Sequence, residues 1–260
     1  MAINSQQAYI SVDLLQSSII YGLKEMQESI FISSSGDQSH STSRNGAPLT
    51  FDMEYARWLE EQNVHMNDLR SAVNVYTSDA EVQSVINDVI AHYNDIFRLK
   101  ANATKVDVLH ILSGMWTTPA ERCFLWLGGF RSSELLKILV KRIESLTEHQ
   151  RASLRNLQDT SQQAEDTLSD GMDALQRSLA QTLSGSSGNV ANYMGQMAMA
   201  IRKLGALEEF IHQGDNLRQQ TLQQMHWILT TRQSAHALLA MHDYFTHLRA
   251  LSSFWLARPR

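Results

Sequence analysis

The sequence predicts an all-α fold, a single bundle-like domain with long antiparallel helices and a flexible N-terminal arm. Three observations predict it. Apolar residues recur every three or four positions from Phe51 onward, the period of helices with one buried face. Capping boxes, in which a Ser or Thr precedes Glu or Gln by three residues, occur at Ser78, Thr118 and Thr147. Only three prolines interrupt the 260 residues. We assign residues 1–48 to the arm and 49–260 to the helical domain.

Composition excludes several classes of protein. The formal net charge is −5, so the overall balance gives no indication of nucleic acid or an anionic membrane as a partner. A single cysteine excludes an internal disulfide and is typical of a reducing compartment. No apolar run approaches the roughly 20 residues that span a membrane. We expect no signal peptide, because the first residues lack a basic start followed by an unbroken apolar segment.

The arm differs from the rest of the chain. Ser33–Thr50 is rich in Ser, Gly and Asn and predicts a flexible linker. Its serines are candidate phosphorylation sites, but a plain solvated linker is the preferred interpretation of the composition. Ahead of the linker, a few apolar residues have the spacing of a short amphipathic helix but do not sustain several heptads. These are Leu14, Leu15, Ile19, Ile20 and Leu23.

Three helical segments are predicted in the first half of the domain. The first follows Phe51 and the second begins at the Ser78 capping box. A third runs near Val106–Ser113. The inward-facing residues of the first two segments are Tyr55, Trp58, Leu59, Met66, Leu69 and Val73, then Val82, Val85, Ile86, Val89, Ile90, Tyr93 and Phe97.

The most distinctive stretch, Ser113–Val140, is crowded with aromatic residues. Thr118 is the predicted N-cap of a short helix, with Pro119 at the first helical position and Glu121 reaching back to the cap. Gly128-Gly129 predicts the end of that helix, since a residue without Cβ accepts the left-handed conformation.

A second short helix follows this glycine corner. Ser132 or Ser133 is its predicted N-cap, and its buried side holds Leu135, Leu136, Ile138 and Leu139. We interpret the whole stretch as a hydrophobic core corner. Arg122 is expected to be solvated or ion-paired. Cys123 is expected to be a small buried residue rather than a nucleophile.

The longest helical pattern opens at the Thr147 capping box and extends to about Leu183. The middle of its stripe holds small residues, so a second helix can approach closely. A helix of the same chain is the simpler partner, and an intermolecular partner is the alternative. Glu165 is assigned to the polar, exposed face. The stripe is Leu154, Leu157, Ser161, Ala164, Leu168, Gly171 or Met172, Leu175 and Leu179.

Two segments are predicted after the break at Ser184–Gly188. A methionine-rich helix begins at Asn189, and its adaptable face suits core packing, a partner or an apolar ligand. The last segment runs from Asp215 to about Leu256 and is predicted to bend between Thr230 and Asp243. Its inward residues are Leu217, Met225, Ile228, Leu229, Leu238, Leu239, Met241, Phe245 and Leu248.

No catalytic or metal-binding motif emerges. Asp243 and His247 lie four residues apart and can face one ion, but no further ligand is evident and no His-Glu-x-x-His or Cys-x-x-Cys pattern occurs. There is no nucleotide-binding glycine motif and no nucleophile elbow. We therefore predict a non-enzyme without a cofactor or a bound metal.

Seven further stretches, together with Ser113–Val140, resemble the C-terminal domain of plant TGA-type bZIP transcription factors, which bind TGACG elements. The resemblance covers about Gln27 to Arg260, and this domain is of the delay-of-germination type. The stretches are FISSSGDQSHST (Phe31–Thr42), FDMEYARWLEEQN (Phe51–Asn63), LRSAVN (Leu69–Asn74), AHYNDIFRLK (Ala91–Lys100), SSGNVANYMGQMAMA (Ser186–Ala200), DNLRQQTLQQMHWILTTRQSA (Asp215–Ala235) and LRALSSFWLARPR (Leu248–Arg260).

The resemblance implies a nuclear transcriptional regulator of plant defence that recruits an ankyrin-repeat coactivator and pairs with TGA-type relatives. An apolar small-ligand sensor is the alternative. Some relatives carry a redox pair of cysteines at positions that look like Arg155 and Ser161 here, so that switch is not expected. The structural signature that the resemblance marks is Trp116, Pro119, Glu121, Arg122, Trp126, Gly128, Gly129 and Arg131.

The family's basic region and zipper precede the FISSSGDQ-like motif. The first 50 residues here contain only Lys24 and Arg44 as basic residues, whereas a basic region needs a dense row of Lys and Arg. We therefore expect the bZIP module to be absent, through a shortened isoform or an alternative first exon. DNA would then be reached only through a bZIP-containing partner.

Overall fold

The computed structural model describes residues 46–75, 78–184 and 190–258, and it confirms the all-α prediction for this part of the chain. The predicted N-terminal arm lies almost entirely outside the described residues. Seven helices are present in the described residues: α1 Gly46–Asn74, α2 Asp79–Ser113, α3 Pro119–Arg122, α4 Ser132–Leu139, α5 Glu148–Ser184, α6 Val190–Ile228 and α7 Thr231–Ala257.

The predicted capping boxes form. The backbone N–H of Ser78 donates to Glu81 Oε2 at 3.0 Å, and Glu81 N–H donates back to Ser78 Oγ at 3.3 Å. Thr147 and Gln150 make the same reciprocal pair, with both distances at 3.1 Å. Each box satisfies backbone donors that the first helical turn leaves open, so four residues suffice to place a helix start.

Several helix boundaries differ from the predictions. α1 begins at Gly46, inside the stretch predicted to be linker. The methionine-rich helix and the first part of the following segment form one helix, α6, which continues through Asp215 without a break and packs along α5. The chain turns at Leu229 and Thr230, at the early edge of the predicted bend. The third predicted segment is the end of α2, which has a non-helical residue at Asp107 (φ −147°, ψ 86°).

Three apolar cores result, the smallest of them formed by Phe51, Ile111 and Ile211. The main core lies between α1, α2, α4, α7 and the adjoining ends of α5 and α6. A second core fills the rest of the α5–α6 hairpin and includes Leu109, Trp126 and Leu127. Within the main core the completely buried apolar side chains include Met66, Leu69, Ile86, Leu154 and Met241.

α5 and α6 are the long antiparallel pair. Ser161 Oγ lies 3.2 Å from Thr221 Oγ1, and farther along Lys203 Nζ donates to the Ser178 carbonyl at 2.7 Å. A Cβ at Gly171 would lie only 2.9 Å from the Phe210 ring, so the small stripe does permit close approach. The partner of this stripe is therefore a helix of the same chain, the simpler of the two predicted alternatives.

Candidate functional site

The signature segment starts with one helical turn, α3. The Thr118 backbone N–H donates to Glu121 Oε2 at 3.0 Å, and Pro119 occupies the first helical position, as predicted. The helix then ends at Arg122, six residues before the predicted stop at Gly128. Met115, Cys123 and Phe124 are exposed rather than buried, so the predicted core corner is wrong at these three positions.

Gly128 and Gly129 form a reverse turn instead of a helix end. Trp126 and Gly129 exchange both backbone hydrogen bonds, at 2.7 and 3.0 Å. The two central residues, Leu127 and Gly128, have φ values of 44° and 65°, as a type I′ turn requires. Glycine is suited to position 128 because its left-handed φ disfavours a side chain and a Cβ would also lie 2.9 Å from Ile111.

Arg218 of α6 lies inside this turn and is completely buried. Its Nε donates to the Phe130 carbonyl at 2.7 Å, and its terminal nitrogen donates to the Trp126 and Leu127 carbonyls. The guanidinium carbon also lies 5.3 Å from the Trp126 ring centroid. Three carbonyl dipoles and the faces of Trp126 and Phe130 therefore replace the water that would otherwise surround this cation.

Gly129 makes that arrangement possible. A Cβ at this position would lie 2.7 Å from the Arg218 guanidinium carbon. That separation is shorter than a van der Waals contact, so any side chain at 129 would displace the arginine or open the turn. The glycine pair thus acts through both of its residues, one by its backbone angle and the other by its lack of a side chain.

The positive charge of Arg218 is paired with a buried carboxylate that also pairs with a second cation. Asp215 Oδ1 accepts from Arg218 and from Lys100 Nζ, each at 2.6 Å. Burial lowers the pKa of the Lys100 ammonium to about 8, against the opposing effect of Asp215. We call Lys100, Asp215 and Arg218, with the turn carbonyls, the Arg218 cluster. It joins α2, α6 and the signature turn by directional contacts.

Glu165 of α5 supports the same segment from the other side. It was predicted to be exposed, yet it is completely buried. Its carboxylate accepts from the Ser133 backbone N–H at 3.0 Å and from Ser133 Oγ at 2.5 Å. Glu165 therefore satisfies donors at the start of α4 that the predicted N-cap, Ser132 or Ser133, was expected to satisfy. The N-cap residue itself is Arg131, and no side-chain hydrogen bond caps the helix from that position.

The remaining signature residues lie on both flanks of the turn. Arg131 covers the outer face of Trp126 at 5.5 Å, and Trp126 Nε1 donates to Ser169 Oγ at 3.0 Å. Trp116 packs against α1, with its ring 4.6 Å from that of Tyr55. Arg122 donates to the Met115 sulfur at 3.0 Å.

Glu121 connects this segment to α7. Its second carboxylate oxygen accepts from Arg249 at 3.0 Å, so the capping residue is also one half of an ion pair. The Ala120 backbone N–H donates to Ser252 Oγ at 2.9 Å. The signature residues thus fasten one irregular segment to α1, α5, α6 and α7. Their observed contacts are structural.

Sequence reasoning did not single out Lys100, Asp215, Arg218 or Glu165. A signal was present for Asp215 and Arg218, because both occupy positions that the apolar period assigns to the buried face, whereas Glu165 falls outside the predicted stripe. Asp215 and Arg218 continue the series Leu207, Ile211 and then Leu222 at spacings of three and four. A charged residue in such a series indicates a buried ion pair rather than an exposed face.

Asp243, the first of the two residues considered for a metal, pairs with Arg70 at 3.0 Å. The described residues contain no group of three or more His, Cys, Asp or Glu side chains that could hold a metal ion. None of the described helices has the length and apolarity required to cross a membrane.

The apolar-ligand alternative was based on the methionine-rich helix. Met194 and Ile201 are exposed on α6. An open groove of about 680 Å³ lies elsewhere, between α1 and α2. Charged and aromatic side chains share its lining, among them Arg57, Trp58 and Asp95.

The fold and the site together define a helical domain in which buried charged side chains form hydrogen bonds with the backbone of the same domain. A family model described as DOG1, seed dormancy control, matches residues 65–141. The chain is 68% identical over 243 residues to transcription factor TGA2.2 of Oryza sativa subsp. japonica, covering 91% of this chain and 73% of that protein.

Two further relatives agree with this assignment. Transcription factor TGA2 of Arabidopsis thaliana is 65% identical over 90% of this chain and 72% of its own length. The TGACG-sequence-specific DNA-binding protein TGA-2.1 of Nicotiana tabacum is 64% identical over 90% of this chain and 53% of its own. The chain belongs to the TGA transcription factor family, as the sequence motifs indicate.

Proposed function

We propose that this chain regulates transcription in the nucleus as a protein-interaction module, by recruiting an ankyrin-repeat coactivator in plant defence and by pairing with TGA-type relatives. The observation that carries the proposal is its 68% identity to a transcription factor across nearly the whole helical domain. We assign this function to the domain predicted at residues 49–260.

We also propose that a protein of these 260 residues does not bind a TGACG duplex by itself. Duplex binding depends on several Lys or Arg contacts to phosphate, and the first 50 residues supply two basic side chains. Pairing with a bZIP-containing relative would bring the chain to DNA. Without such a partner, the chain would compete for the coactivator and reduce transcription.

Two measurements test these proposals separately. In a gel-shift titration, the purified chain should leave a TGACG duplex unshifted, and a sequence-specific shift at sub-micromolar protein would refute the DNA proposal. In co-precipitation, the chain should retain the coactivator under conditions in which a full-length relative does. Failure to retain it there would refute the recruitment proposal.

A further inference from the structure

One end of the molecule exposes large apolar side chains from two adjoining segments. The Ala120–Ser252 hydrogen bond holds these segments together. Apolar area of this kind on a monomer marks a place where something binds. We call the set the C-terminal apolar surface; its members are Met115, Phe124, Leu251, Phe254, Trp255 and Leu256.

The charge around this surface is positive. The sequence has no Asp or Glu after Asp243, and Arg258 lies over the Trp255 ring at 3.4 Å. Glu121, the nearby carboxylate, is buried and paired with Arg249. Arg122 and Arg258 form no ion pair with any residue among those the structure describes. A complementary occupant therefore combines apolar side chains with carboxylates.

The chain enters the described fold beside this surface. Phe51, near the start of α1, is buried with its ring 5.4 Å from that of Trp116, the neighbour of Met115. Residues 1–45 are attached at this point. Extended, residues 32–45 reach about 45–50 Å, so the stretch before them can reach the surface from its attachment point.

Residues 13–31 have the complementary chemistry. They carry Asp13, Glu25 and Glu28 against the single cation Lys24, so their charge is opposite to that of the surface. They also hold closely spaced apolar residues: Leu14, Leu15, Ile19, Ile20, Leu23, Met26, Ile30 and Phe31. We infer that residues 13–31 dock on the C-terminal apolar surface of their own chain and cover it. A partner that uses this surface must displace them.

The tether favours this occupant over a second copy. A segment joined by a linker of this length acts at an effective concentration in the millimolar range, far above that of a dilute second molecule. The contact is self-limiting, since one chain supplies one segment and one surface. Added salt should weaken it, because exposed opposite charges contribute to it.

The single cysteine provides the test, because Cys123 is exposed at the edge of this surface. A second cysteine is placed in the docking segment with Ser18→Cys, or in the linker with Ser39→Cys as the matched control. Disulfide formation with Cys123 is then followed in dilute full-length protein, each rate being normalised to the reaction of that cysteine with an external disulfide. The linker position is nearer along the chain to the attachment point, so tethering alone gives it the faster rate.

Docking predicts that the Ser18→Cys protein closes its disulfide about tenfold faster than the control. Adding Trp255→Glu, a change at a 57% exposed residue, should reduce that rate to the control value or below it while circular dichroism shows an unchanged helix content. Equal or slower closure at position 18 would overturn the inference. Concentration-dependent covalent dimers in place of the internal disulfide would also overturn it and would identify a second copy as the occupant.

Discussion

The Arg218 cluster and the C-terminal apolar surface reverse the usual arrangement of side chains. Arg218 is 0% exposed, whereas Phe254 is 75% exposed. The cluster is stable because every charge has a hydrogen-bonding partner, and the surface is permitted because folded proteins expose much apolar area. The difference teaches that burial follows from the position of a residue on its helix and from available partners, and residue type alone does not decide it.

Replacing Arg218 should have the largest effect on stability. Arg218→Ala leaves Asp215 with less compensation and three carbonyls without their donor, so we expect a loss of about 3–5 kcal/mol in the free energy of unfolding. Arg155→Ala, at an exposed arginine of α5, is the matched control and should change it by less than about 0.5 kcal/mol. Urea unfolding measures both, and similar values for the two variants would contradict a structural role for the cluster.

Two tryptophans give a second matched pair. Trp126 is 8% exposed between two guanidinium groups, and Trp255 is 57% exposed. Trp126→Ala should cost about 3–5 kcal/mol, as truncations of large buried aromatics do. Trp255→Ala should stay within about 0.5 kcal/mol. An unchanged melting temperature for Trp126→Ala would show that the signature turn does not stabilise the domain.

Two glycines allow the same comparison with a smaller change, the addition of one methyl group. Gly129→Ala places a Cβ against the Arg218 guanidinium and should cost about 1–3 kcal/mol. Gly205→Ala, in open space on α6, should instead stabilise by up to about 1 kcal/mol, because alanine favours the helix. Thermal melts distinguish the two, and stabilisation by both would mean that the turn has room for a side chain.

Lowering the pH should have a smaller effect on stability, to which three histidines contribute. Burial lowers the pKa of His92, His226 and His242 below the ordinary value of 6.5. As the pH falls from 7.5 through 6.5, the unfolded chain binds protons that the native histidines do not, so the free energy of unfolding decreases. Urea titrations between pH 7.5 and 5.5 should show this slope, and His226→Gln should make it shallower. A free energy of unfolding that does not change with pH would contradict the lowered pKa values.

Local interactions account for what the sequence predicted correctly. The capping boxes at Ser78, Thr118 and Thr147 formed because each needs only four consecutive residues. The predicted length of α3 was wrong because it depends on a residue that is distant in the sequence. Gly128 is suited to a helix end and also to a type I′ turn. In the fold it belongs to the turn, and the Leu127 carbonyl of that turn accepts a hydrogen bond from the buried Arg218, 90 positions farther along the chain from Gly128.

The all-α class, most helix starts and the apolar faces follow from the sequence, because periodicity and capping are properties of neighbouring residues. The burial of Glu165, the position of Arg218 inside the signature turn and the exposure of Phe124 depend on how the helices pack. Desolvation explains this difference. A charge can occupy a buried position only where distant segments supply its partners, and that pairing exists only after the helices have packed.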